Sequence, residues 1–349
     1  MKFLLYGAYG YTGELTAELA EEFGLTPTLA GRNAEKLAAL HQKIPYDYTC
    51  FNLSDADKIV QEIEGFDLVL HTAGPFAYTA KPMIEACLKA KTHYLDITGE
   101  IEVFELAKSY DERAKEAGIL VLSGAGFDVV PTDCTAKLLH ESLPDATHLE
   151  LAFAGLGGQL SHGTAQTMLL NLGESGAIRE DGKIKRVPLG HKQKLIDFGV
   201  KKRVTMTIPW GDVSTAFWTT QIPNIEVYTA VPPSVASLQS WQWLYNPILS
   251  LSPVKKLLQA WVGNKITGPT PEEREKALSL VWGKVRNAAG ETREARLKGL
   301  EGYTLTAKMS LLIAKKVLSG NFKTGYHTPA GLFGSGLINE LDGCQLELV

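Results

Sequence analysis

The sequence predicts an α/β protein: a Rossmann-type doubly wound parallel sheet, then a second α+β domain with a mixed or antiparallel sheet. Three observations carry this. A glycine-spaced turn, Gly7-Ala8-Tyr9-Gly10-Tyr11-Thr12-Gly13, lies between an apolar run and a helical pattern. The first third then alternates short apolar runs with helical segments, as a parallel sheet covered on both faces requires. The second half loses that alternation. It offers instead two facing runs, Leu278 to Asn287 and Thr292 to Leu300, joined by Ala288-Ala289-Gly290-Glu291 as in a hairpin.

Phe3-Leu4-Leu5-Tyr6 reads as a buried strand and Glu14 to Ala20 as the helix after it. Gly7 permits the tight turn between them. Gly10 leaves no Cβ in the way of an approaching pyrophosphate, and Gly13 lets the helix pack close. The helix N-terminus offers N–H groups and partial positive charge to phosphates. Ala8, Tyr9, Tyr11 and Thr12 complete this dinucleotide-binding turn. Further strands are expected at 26–30, 48–52, 67–71, 93–96 and 119–122, with helices at 34–41, 55–63, 82–90 and 103–117. Ligands on such sheets sit at the carboxyl ends of the strands, so the loops there carry the chemistry.

The second strand ends at Gly31-Arg32-Asn33, and no carboxylate follows until Glu35. A carboxylate would suit the bare ribose of NAD, whereas a guanidinium suits the 2′-phosphate of NADP. Arg32 therefore reads either as the group that selects NADP(H) or as a surface arginine at a helix start; the first is expected, with Asn33 beside it at the cofactor. The loop after strand four contributes Ala73, Gly74 and Pro75, small enough for the cofactor to cross the strand end, although Gly-Pro also makes an ordinary turn. After strand six, Gly126 and Phe127 are expected at the cofactor. Asp128 reads either as a site group or as a solvated cap, and Asp133 as a solvated cap where a helix begins.

At 349 residues two domains are expected: 1–131, and 132–321, with 322–349 packing back on the first. A hydrophobic content of 45%, with 21% charged residues, fits a globular protein. The net charge of -4 gives no reason to expect nucleic acid. Cys50, Cys87, Cys134 and Cys344 form no C-x-x-C pair, which suits a reducing cytoplasm and argues against a metal site or a disulfide framework. The first apolar run is too short for a signal peptide.

In the second half, Thr147 to Ala154 reads as a strand leading into a glycine-rich loop, Gly155 to Thr164. His162 in that loop is a candidate proton donor or a surface histidine. Phe198 to Ile208 suggests a strand pair interrupted by Lys201-Lys202-Arg203, and Tyr303 to Leu318 an amphipathic helix. Residues 227–254 carry no charge. Their prolines and polar residues argue against a membrane span and leave a buried hairpin, a lipid-like ligand, a subunit contact or a peripheral membrane contact. A mixed sheet there would suit a homodimer.

Taken together, these motifs resemble the saccharopine dehydrogenase-like family, and within it the trans-acting enoyl reductase branch. The matching pieces are Gly7 to Gly13, Ala30-Gly31-Arg32, Gly74-Pro75-Phe76, Tyr94 to Glu100, Gly126 to Asp133, Ser161 to Thr164 and Thr328 to Gly331. Phe76 departs from the tyrosine common in relatives, and Gly334-Ser335-Gly336 from a more usual Gly-Asp. The resemblance implies NADP and reduction of a C=C or C=N bond. Hydride transfer needs a matching proton donor, and Tyr94, Asp96, Asp128 and His162 are the candidates. A short-chain dehydrogenase mechanism is disfavoured, because no Tyr is followed by Lys four residues on. The leading expectation is an NADPH-dependent reductase of an enoyl bond in a hydrophobic or acyl substrate. An imine reductase and a non-catalytic NADP(H) sensor are the alternatives.

Overall fold

The computed structural model describes residues 2–157, 175–238, 254 and 268–349. It divides into two compact units, Met1–Val130 with Tyr303–Gly334, and Pro131–Gly302 with Ser335–Val349.

In the first unit, strand, helix and strand alternate: β1 (Phe3–Tyr6), α1 (Tyr11–Leu19), β2 (Pro27–Gly31), α2 (Ala34–Lys43), β3 (Tyr48–Cys50), α3 (Ala56–Ile63), β4 (Leu68–His71), α4 (Phe76–Ala90), β5 (His93–Asp96), α5 (Ile101–Ser109), α6 (Asp111–Ala117) and β6 (Leu120–Leu122). Among the described residues these strands lie side by side in the order β6-β5-β4-β1-β2-β3, and a short strand, Gly325–Tyr326, extends the sheet beyond β6. Every pairing is parallel. The strand residues of β1, β4 and β6 are all buried, which explains their unbroken apolar character. The order reverses between β1 and β4, and in such sheets ligands bind at that switch point.

The helices follow local signals where these exist. Asn33 caps α2 by accepting from the Lys36 N–H, and Asp55 caps α3 by accepting from the Asp57 and Lys58 N–H groups. Two expectations are corrected. Helix α4 starts at Phe76, not at Pro82, which lies inside it. The expected single helix over 103–117 is broken at Tyr110 into α5 and α6.

The second unit begins with α7 (Val130–Ser142). It builds a nine-stranded sheet from β7 (Ala146–Leu156), β8 (Gly176–Glu180), β9 (Lys183–Val187), β10 (Gln193–Asp197), β11 (Lys202–Thr207), β12 (Asn224–Ala230), β13 (Leu278–Asn287) and β14 (Thr292–Leu300). Numbering the Gly325–Tyr326 strand β15, the last strand is β16 (Gln345–Leu348). β12 runs parallel to β7 and the other pairings are antiparallel, so the sheet is mixed. A Cβ on Gly283 would lie 2.7 Å from both Leu139 and Thr135, so α7 packs tightly on one face of the sheet. The hairpin of β10 and β11 turns between Asp197 and Lys202, earlier than the expected 201–203.

The expected return of 322–349 to the first unit also changes. The returning piece is Tyr303–Gly334. Its helix buries Leu305, Met309 and Ile313, and β15 joins β6. β16 pairs instead with β14 of the second sheet.

Candidate functional site

The β1–α1 turn is built by steric exclusion. Gly7 has φ 92, and a Cβ on it would sit 2.7 Å from the Ala73 N, in the loop after β4. Only glycine fits both the conformation and that approach. A Cβ on Gly13 would meet the Gly7 carbonyl oxygen at 2.3 Å, so Gly13 serves the closure of the turn itself. Gly10, exposed at the N-cap of α1, supplies no side-chain cap. The first turn of α1 is thus arranged to serve an anion.

At the end of β2, the Tyr9 ring lies on Gly31, where a Cβ would come within 2.5 Å of Cε1. Arg32 is exposed and has no hydrogen-bond or ion-pair partner among the described residues. Lys36 places its Nζ 5.6 Å from the Tyr9 ring centroid. Asn33 differs from the expectation: its side-chain oxygen is engaged in capping α2, 2.9 Å from the Lys36 N. A glycine turn open at Gly10 and an exposed, unpartnered guanidinium at the ribose end together fit NADP(H).

The carboxyl ends of β4, β5 and β6 hold the titratable groups. Asp96 is fully buried. Its carboxylate accepts from the Tyr94 hydroxyl at 2.8 Å, the Ser123 hydroxyl at 2.9 Å, the Thr98 N–H at 3.0 Å and the Gly124 N–H at 2.9 Å. Burial raises its pKa and the four donors oppose that rise. Tyr94 is equally buried, and burial with the neighbouring Asp96 charge pushes its pKa well above the usual phenol range. Both were expected as proton donors. In the structure Tyr94 donates to Asp96, and Asp96 ties the end of β5 to the loop after β6.

Glu100 is the residue the sequence did not single out. Its two carboxylate oxygens accept from the Phe76 and Ala77 N–H groups, each at 2.8 Å. It thereby supplies the cap that Pro75 cannot give α4. The partners lie 24 and 23 residues apart, so no local pattern announces the contact.

Asp128 is partly exposed and has no hydrogen-bond or ion-pair partner among the described residues. A Cβ on Gly99 would lie 3.0 Å from its Oδ2, so Asp128 packs directly over the loop that leads to Glu100. Loss of solvent, and then the Glu100 charge, raise its pKa to about 7. Asp133, expected as a solvated cap, is instead fully buried in the first turn of α7, where the Thr219 hydroxyl donates to it. Gly126 and Phe127 are also reassigned. A Cβ on Gly126 would meet Thr306 at 2.6 Å, and the Phe127 N–H donates to the Thr306 hydroxyl at 2.9 Å, so both seat the returning helix. Ala73 and Pro75 accept from the Thr79 hydroxyl through their carbonyls, which fixes the loop between β4 and α4. His162 lies outside the described residues, as do residues 239–253 of the uncharged segment.

His71 was also missed. It ends β4, fully buried, with no hydrogen-bond partner on either ring nitrogen among the described residues. It packs against the Tyr6, Phe76 and Tyr94 rings at 5.4, 5.3 and 6.2 Å. Burial lowers its pKa to about 3, so it is a neutral spacer at ordinary pH.

The switch point, the glycine turn and Arg32 define a dinucleotide-binding domain of the Rossmann class. Residues 3–122 match the family model of the saccharopine dehydrogenase NADP binding domain. This domain is similar to that of the saccharopine dehydrogenase-like family, and the cofactor it takes is NADP(H).

The trans-acting enoyl reductase of Mycobacterium tuberculosis is 32% identical over 153 residues, 41% of this chain and 37% of that protein. The saccharopine dehydrogenase-like oxidoreductase of Rattus norvegicus is 28% identical over 202 residues, 51% of this chain and 47% of that one. The matched stretches thus span less than half of each of these relatives. The apo saccharopine dehydrogenase (L-Glu forming) of Saccharomyces cerevisiae superposes with TM-score 0.66 at 14% identity, over 100% of this chain and 99% of that one. That likeness shows the fold. Among the described residues no cluster of His, Cys, Asp or Glu could hold a metal, and no helix is long and apolar enough to cross a membrane.

Proposed function

We propose that the protein is an NADPH-dependent oxidoreductase that reduces the C=C bond of a hydrophobic or acyl substrate. The exposed, unpartnered Arg32 at the end of β2 carries the NADPH part of this reading. The first turn of α1 would hold the pyrophosphate and Arg32 the 2′-phosphate. When bound, NADPH supplies a hydride. The residues around Asp96 keep the strand ends rigid, and Asp128 is the carboxyl group left to exchange a proton. The similarity to an enoyl reductase favours a C=C bond over the alternative C=N bond.

The test is NADPH oxidation with two probes, a medium-chain 2-enoyl thioester and a cyclic imine. Turnover of the thioester at more than tenfold the imine rate supports the proposal. The reverse preference would assign an imine reductase. Tight NADPH binding without turnover of either probe would favour a cofactor sensor.

A further inference from the structure

We propose that Asp128 is the proton-exchanging group of the cofactor site, and that Glu100 is the positioning residue that keeps a negative charge beside it. This rests on the NADP(H)-dependent reading above.

The geometry separates three carboxylates that the sequence places together. Asp96 is saturated by four donors. Glu100 is pinned by two N–H groups at the start of α4, which oppose the rise that burial gives its pKa. Asp128 alone is left without a partner among the described residues, at 3.0 Å from where a Cβ on Gly99 would stand. Glu100 is the charge that acts on Asp128, while Asp96 and Glu102 act on Glu100 in turn. With its pKa near 7, Asp128 is divided between acid and carboxylate at neutral pH, which suits a proton donor. In the transfer its O–H bond breaks, the proton passes to the substrate atom left with an electron pair, and water restores the acid.

The loops after β4, β5 and β6 carry these groups at the strand ends, where the nicotinamide half of a dinucleotide lies in doubly wound sheets. Oxidised nicotinamide is a cation and reduced nicotinamide is neutral. A nearby carboxylate favours the cation, so NADP+ binding and loss of the Asp128 proton should be linked.

The test measures Kd for NADPH and NADP+ on the full chain at pH 6 and pH 8, by fluorescence and calorimetry, without substrate. Taking Kd(NADPH)/Kd(NADP+) removes the 2′-phosphate, which ionises in the same range in both forms. For a site titrating near 7 and displaced by about one unit on NADP+ binding, the ratio should rise about fivefold from pH 6 to pH 8. In Asp128→Asn the ratio should not change with pH. In Glu100→Gln, which keeps an oxygen for capping α4, the midpoint should move to lower pH and the rise should shrink to about twofold.

A flat ratio in the parent, or an unchanged rise in Asp128→Asn, overturns the assignment of Asp128. An undiminished rise in Glu100→Gln overturns the role of Glu100. If neither cofactor binds, the NADP(H)-dependent reading falls with the proposal, whereas tight binding with a flat ratio removes the proposal alone.

Discussion

Two groups of carboxylates in this protein are held in opposite ways. At the strand ends of the first sheet, Asp96 and Glu100 accept from N–H and O–H donors, and Asp128 accepts from no described residue. On one face of the second sheet, Glu226 pairs with Lys192, Glu150 with Lys194, and Glu294 with Lys284 at 2.8 Å. A cleft of about 420 Å³ opens there, lined in part by His148, Glu150, Lys194, Glu226 and Arg286. The consequences differ in sign. Burial raises the pKa of Asp96, Glu100 and Asp128, and the neutral donors of the first two do not overcome it. Burial also acts to raise Glu226 and Glu294, but bonded lysines and neighbouring hydroxyl or indole donors more than offset it. The second arrangement is an ion-paired face. The first concentrates acid at the strand ends, where ligands of doubly wound sheets bind, and perturbed acids mark functional sites more often than scaffolds.

Substitutions can break this contrast. The largest effect should come from Asp96→Asn. The amide presents only one acceptor oxygen to four donors, so unfolding in urea should show a loss of about 3 kcal/mol. Gly13→Ala should come next, because its Cβ would stand 2.3 Å from the Gly7 oxygen. We expect about 2 kcal/mol of destabilisation and a loss of NADPH affinity of about tenfold or more.

Asp128→Asn should act with the opposite sign. A carboxyl whose pKa is higher in the folded protein favours folding below its unfolded value, and that contribution is lost as pH rises through about 7. Removing it should raise Tm by a few degrees at pH 8 relative to the change at pH 5. The smallest effect belongs to the second sheet. Lys284→Ala breaks a partly exposed pair and should cost less than about 1 kcal/mol. A larger loss there than at Asp96 would invert the comparison.

Legibility followed the range of the interactions. β1, β5 and the hairpin of β13 and β14 lie where their apolar and turn patterns place them. These signals are local. The start of α4 was illegible because its cap, Glu100, comes from another loop, and the sequence offered Pro82 as a false start. Asp96 and Tyr94 looked like reactive groups because their spacing cannot reveal that they bond to each other. Gly126 looked like a cofactor contact, but Thr306, distant in sequence, fills the space over it. β8 and β9 carried a local signal that was passed over, the two-residue Asp181-Gly182 turn between Glu180 and Lys183, whereas the pairing of β16 with β14 is long-range. Arg32 was readable since both it and the missing acid are local facts.

The central claim is that the first domain is built for NADPH through Arg32, and one titration tests it directly. Fluorescence titration of the parent should show NADPH binding about tenfold or more tightly than NADH, and Arg32→Ala should remove that preference by weakening NADPH alone. Equal affinities in the parent, or an Arg32→Ala variant that still prefers NADPH, would contradict the account.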